Sequence, residues 1–294
     1  MSRWRAEPPR RRDADAWLAG VTRLLALGTA GLVLLIAAFV LREAWPALAD
    51  GHWRRFLTSD GWFPASGAFN LWPMLAATLL AMLGALLIAV PAGIASALFI
   101  VFLAPARLAE AYRRLVILLA GIPSVVYGLW GLTVLVPLIT QWQPPGASLL
   151  AAMLVLALMI LPTVVLTAEA ALAAVPRDWL HGGHALGMGR AGVLLGIALP
   201  AARAGISGGI LLAAARALGE TMAMLMVAGN VVQLPASLFD PVRVLTANMA
   251  LEMPYATGTH RASLFVSGLL LLVLVSLLAW LANARLPAAE ARHG

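Results

Sequence analysis

Six apolar runs, at residues 17–41, 71–103, 115–140, 149–175, 205–230 and 262–281, decide what this chain can become. A helix that crosses the hydrocarbon core of a bilayer needs about 20 mostly apolar residues, and each run reaches that length. Of the 294 residues, 62% are hydrophobic and only 11% are charged. The sequence therefore predicts an all-α integral membrane protein with six transmembrane helices. The first run starts like a signal peptide but is too long and lacks a convincing small-residue cleavage site, so it reads as a retained span.

Arginine positions set the orientation. With both termini in the cytoplasm, 12 arginines fall in inner tails and loops and five in outer connections, the bias that inward-facing loops show. The net charge of +7 is then an orientation signal, and no nucleic-acid partner is implied. Residues 1–16, with Arg3, Arg5, Arg10, Arg11 and Arg12, read as a disordered cytoplasmic tail, and 283–294 as a second short one. The outer connection 42–70 holds Trp45, Trp53 and Trp62, which suit the headgroup layer. Cysteine is absent, which excludes disulfides and thiolate chemistry. Lysine is absent too, and a phosphate-binding loop of the Walker type needs one. Any ATP hydrolysis coupled to this chain belongs to another subunit.

Prolines punctuate three of the runs. Pro91 is expected to kink or break the second span, Pro123 interrupts the third with Gly128 and Gly131 close behind, and Leu161-Pro162-Thr163 marks a second interruption in the fourth, which also carries Glu169 near its end. Residues 176–200 form the longest internal polar segment. A short helix is expected over Arg177 to Leu186, a bend at Gly187 to Gly189, and a second helix from Arg190 ending at Leu199-Pro200. Residues 231–261 read as an outer connection. His181 and His184 in the loop are too few for a metal site.

The fifth run, Gly205 to Asn230, carries Arg216 and Glu220 near its middle. In one unbroken helix they stand at i and i+4, one turn apart on the same face. A charge at the bilayer centre costs roughly 2.5–3.5 kcal/mol even on a lenient scale, so such residues face a partner, a bundle interior or a water-filled path. The plain structural alternative is a mutually neutralising pair that locks two helices together. Ala213, Ala214, Ala215, Ala217, Gly219 and Ala223 around them are small, as close helix packing requires.

Four stretches carry a resemblance. IPSVVYGLWGL at 122–132, LPTVVLTAEAAL at 161–172, GGILLAAARALGETMAMLMVAGN at 208–230 and QLPASLF at 233–239 resemble the PstC-type permeases of phosphate ABC importers, over about residues 70–282. Gly187, Ile197, Leu199 and Pro200, with VPRD at 175–178, are similar to the cytoplasmic coupling loop of such permeases. There a Glu-Ala-Ala triplet precedes the glycine; here His181-Gly182-Gly183 stand in its place.

The resemblance implies a type I ABC-importer permease fold with its core at 71–282 and a coupling loop at 176–200. It implies a PstA-like sister permease, a PstB-like ATPase dimer that binds the ATP and Mg, and a PstS-like periplasmic phosphate receptor, with no cofactor in this chain. It assigns Arg216 and Glu220 to the substrate path, and His181, Gly187, Leu199 and Pro200 to coupling with the ATPase. Phosphate is a strongly hydrated oxyanion, and a guanidinium offers it forked donors and a permanent charge. Alternatives from other classes are a PstA-like sister permease or a permease for another oxyanion, an autonomous secondary transporter, and an intramembrane serine protease. The last rests on Gly205-Ile206-Ser207-Gly208, whose serine would need a base that the histidines, all outside the apolar runs, do not supply.

Overall fold

The computed structural model describes residues 10–285. Residues 1–9 and 286–294, which hold much of the two expected tails, lie outside the described residues. Apart from the single turn Arg55–Thr58 and short 3-10 helices, ten helices follow one another among the described residues: α1 Arg10–Leu48, α2 Trp72–Leu103, α3 Ala106–Gly121, α4 Ser124–Thr140, α5 Leu149–Ala173, α6 Arg177–Ala185, α7 Arg190–Leu218, α8 Met222–Val227, α9 Leu245–Glu252 and α10 Gly258–Arg285. A two-stranded hairpin, β1 Trp62–Phe63 and β2 Ala68–Phe69, lies between α1 and α2. Helices α1, α2, α5, α7 and α10 are each long and apolar enough to cross a membrane, and the bent pair α3 and α4 supplies a sixth span.

Helix α5 is the centre of the bundle. Ala151, Val155, Ile160, Val164, Val165 and Ala168 are fully buried or nearly so, because α2 and α7 both pack along it. Small residues make that approach possible. A Cβ on Gly93 of α2 would stand 2.6 Å from Val164, and one on Gly205 of α7 would stand 2.6 Å from Ala171. Close contact of this kind replaces the hydrophobic driving force that lipid does not provide between helices. Helix α1, by contrast, is exposed to its surroundings over most of its length and meets α10, with Ala44 and Ala47 buried near its end. It begins at Arg10, within the stretch read as a disordered tail.

Two of the proline expectations, at Pro162 and Pro200, need correction, and at Pro91 the break, one of two expected outcomes, is absent. Helix α2 runs through Pro91 and α5 through Pro162 without interruption. A break there would leave several backbone groups unpaired in hydrocarbon, whereas the proline forfeits one bond that neighbouring helices and local adjustment tolerate. The helix from Arg190 does not end at Leu199-Pro200 but continues to Leu218. A π-turn at Leu194–Ala198 stands immediately ahead of Pro200 and widens the backbone where the ring would meet the preceding turn. Pro123 does break the chain: α3 and α4 meet there at 94°. The third span, expected from 115 to 140, is therefore α4 alone plus a strongly angled helix whose first half carries Arg107, Glu110, Arg113 and Arg114.

The segment 231–261 is more than an outer connection. Val242, Val244 and Ala247 are buried in the same core as Ala77, Ala81 and Ala85 of α2, and Leu245 in the neighbouring one with Phe69 and Met74. The chain from 228 to 242 folds back onto the start of α5, where the amides of Ser148, Leu149 and Leu150 donate to the carbonyls of Val227 (3.1 Å), Asp240 (2.9 Å) and Leu238 (2.7 Å). Ser148 accepts from Ala151 at 3.3 Å as the N-cap. The first N–H groups of a helix have no intrahelical partner, and here the returning chain serves Leu149 and Leu150 while Ser148 serves Ala151.

Candidate functional site

The fifth apolar run is not one helix. Helix α7 stops at Leu218 and α8 starts at Met222, so Arg216 occupies the last turn of α7 and Glu220 sits in the gap. A carboxylate oxygen of Glu220 accepts from the amide of Ala223 at 3.1 Å, its own amide donates to Ala217 at 3.3 Å, and its carbonyl accepts from the Thr246 hydroxyl at 2.7 Å. Each charge complements the dipole of the helix end it occupies, a cation at a C-terminus and an anion at an N-terminus. The expected i, i+4 arrangement on one face is thereby undone.

The two side chains part company. Arg216 is exposed on the surface of the chain and Glu220 is half-buried, facing a cavity of about 10 Å³ lined by Thr78, Leu156 and Thr246. Among the described residues no ion pair joins them. Tyr127 is buried, and its hydroxyl donates to the Leu119 carbonyl at 2.7 Å across the bend at Pro123. One residue further on, a Cβ on Gly128 would stand 2.9 Å from Cα of Ala223 and 2.8 Å from the sulfur of Met226. The glycine of the PSVVYG stretch thus lets α4 press against α8.

The coupling residues fall in two places. Helix α6 matches the short helix expected from 177, and the chain turns at Gly187 with φ of +80°, a left-handed conformation open to glycine at no steric cost. His181, Gly182, His184 and Gly187 are exposed, as are Trp179 and Leu186 at 57% and 86%. Gly183 is buried, and a Cβ there would stand 2.5 Å from the end of the Ile197 side chain. Leu199 and Pro200 belong to α7 instead. Leu199 packs with Ala97, Leu172 and Ile206, away from the loop surface. Ser207 gives its hydroxyl to the carbonyl of Ala204 within α7 at 2.9 Å.

Two polar clusters escaped the sequence reading. Arg113 of α3 pairs with Glu169 of α5, whose carboxylate is buried. On the other side of the bundle, Glu252 accepts from Arg243 (2.7 Å) and Trp62 (2.7 Å) and pairs with His260 (2.8 Å). Arg243 also donates to the carbonyl of Asn230 at 2.9 Å and to Asn248 at 3.1 Å. The Trp-rich connection is therefore tied to the chain that follows α8. Glu169 was visible as an acid in an apolar run; nothing in sequence spacing links residues 62, 243, 252 and 260.

Residues 89–288 match the family described as binding-protein-dependent transport system inner membrane component. The chain belongs to this family. It is a multi-pass inner-membrane protein and a transport subunit, and it groups with the PstC-type permeases. It is 33% identical to the phosphate transport system permease protein PstC of Mesorhizobium japonicum, over 95% of this chain and 92% of that one. It is 38% identical to the probable ABC transporter permease protein YqgH of Bacillus subtilis over 74% and 73% of the two chains. Among solved structures, an inward-facing form of the MetNI methionine ABC transporter shares the fold with a TM-score of 0.56 at 19% identity, over 73% of this chain and 91% of that chain. The type I importer architecture of the PstC-type permeases is thus present here.

Proposed function

We propose that this chain is the permease subunit of an ATP-driven inorganic phosphate importer and forms one half of its transmembrane path. The observation that carries the reading is the exposed guanidinium of Arg216 beside a break in a membrane-spanning helix. Facing lipid, that charge would cost roughly 2.5–3.5 kcal/mol near the bilayer centre. A second permease, PstA-like, covers this face and encloses a wet seam. Broken helices whose ends point at a substrate are a recurring device in transporters. Arg216 meets phosphate transiently, and Glu220 shapes the break that aims it. The anion must bind well enough to enter and loosely enough to leave.

Both termini lie in the cytoplasm in this reading, which places α6 against a PstB-like ATPase dimer that binds ATP and Mg, and the Trp-rich side towards a PstS-like receptor. The exposed Trp179 and Leu186 suit a groove on the ATPase, His181 lies on the same short helix, and Gly187 sets the turn. Leu199 and Pro200, built into α7, carry the movement of α6 into the helix that bears Arg216.

The test is uptake of labelled phosphate by the complete assembly in proteoliposomes. Arg216→Ala should abolish uptake while leaving co-purification of the ATPase intact. Normal uptake by that variant overturns the path assignment, and phosphate flux by this chain alone without ATPase would make it a secondary transporter.

A further inference from the structure

His181-Gly182-Gly183 stands where the usual triplet would be, and His184, which follows it, has no part in the coupling assignment. Two cavities open behind α6, between it and the end of α2. One, of about 450 Å³, is lined by His184 and Arg190 with Phe102, Leu180 and Leu194. The other, of about 380 Å³, is lined by His181 and Arg177 with Phe102, Leu172 and Leu180. Phe102 and Leu180 form the shared wall. Each cavity thus pairs one histidine with one arginine over an apolar floor, and no acidic residue lines either of them among the described residues. Neither arginine has an ion-pair partner among those residues.

We propose that these cavities form a binding site for a phosphate group carried by a small anion. Both volumes lie in the range of small-ligand sites, which bury a ligand against apolar walls and orient it with a few polar groups. Arginine binds phosphate oxygens through forked, charge-assisted hydrogen bonds, and the His181 imidazole adds a donor, whereas Nδ1 of His184 is held by the Met188 carbonyl at 3.3 Å. Basic pockets between membrane helices on the inner side also take lipid headgroups. Free phosphate and the headgroup of an anionic lipid share the chemistry that the site reads. The residues define the site without reference to Arg216. Its placement on the cytoplasmic side rests on the orientation proposed above.

The full chain, purified in detergent, is to be titrated with inorganic phosphate and with short-chain phosphatidylglycerol by native mass spectrometry, with diacylglycerol as the phosphate-free control. The expected result is saturable binding of at least one phosphate compound, weakened at least tenfold by Arg177→Gln with Arg190→Gln and unchanged by Arg23→Gln, a change at an exposed arginine of α1. Binding of phosphate alone identifies the free ion, and binding of the lipid alone identifies the headgroup. Should the double variant fail to fold, the single variants Arg177→Gln and Arg190→Gln are read in the same way. No binding of either compound, binding by the Arg177 and Arg190 variants equal to that of the unaltered chain, or an equal loss in Arg23→Gln overturns the proposal. Uptake assays report on the transport reading separately, so either idea can fail without the other.

Discussion

The hydroxyl of Thr246 donates a 2.7 Å hydrogen bond to the carbonyl of Glu220. This single contact ties α9 to the gap between α7 and α8, and through the gap to the position of Arg216. Thr246 is buried, so the carbonyl has little water to turn to if the hydroxyl is lost.

Thr246→Val keeps the shape of the side chain and removes the donor. Leaving a buried polar group unsatisfied costs about 1–3 kcal/mol. The variant should unfold at a lower temperature in detergent and transport phosphate more slowly, whereas Thr246→Ser should behave like the unaltered chain. Equal unfolding temperatures and uptake for Val and Ser would show that the contact does not hold the break.

Gly128 and Gly182 should respond oppositely to alanine. A Cβ at 128 meets the backbone of Ala223 at 2.9 Å, while one at 182 meets nothing within 4 Å. Overpacking typically costs about 1–3 kcal/mol, so Gly128→Ala should lower stability and uptake together. Gly182→Ala should stabilise α6 by about 0.5–1 kcal/mol, as alanine does in a helix interior. Thermal unfolding of the two variants side by side decides the matter.

Removing Glu252 strands Arg243, which is 19% exposed. Breaking one partner of a fully buried pair costs about 3–5 kcal/mol, and partial exposure brings the expectation for Glu252→Ala to about 1–3 kcal/mol. The indole of Trp62 loses its acceptor in the same variant, so a shift in tryptophan emission should accompany the loss of stability. Stability lost with unchanged emission would separate the hairpin from the network.

Glu169→Gln removes the charge that Arg113 meets between α3 and α5. Arg113 is 44% exposed in its side chain and can turn to water, so the expected loss is about 1–2 kcal/mol, below that of a sealed pair. Protease cleavage within 104–122 should quicken as α3 loosens. An unchanged cleavage pattern would place the anchorage of α3 elsewhere.

Hydropathy and run length determined by themselves that the chain is a membrane-embedded α-helical bundle, and single backbone positions that Gly187 and Pro123 bend it, whereas the bounds of the third and fifth spans were settled by the structure. The former are local quantities, set by how many apolar residues adjoin and by what one backbone position permits. The fate of Pro91 and Pro162, the split between Arg216 and Glu220, and the burial of 242–247 were decided by the tertiary structure alone. A proline ends a helix only where neighbouring helices cannot tolerate the missing bond, and two charges four residues apart pair only if the helix between them survives. Gly219 and Thr221 gave little warning that it would not, because the contacts that hold it open come from Thr246, distant in sequence. The same reason hid Glu252 and its partners: long-range contact has no period to read.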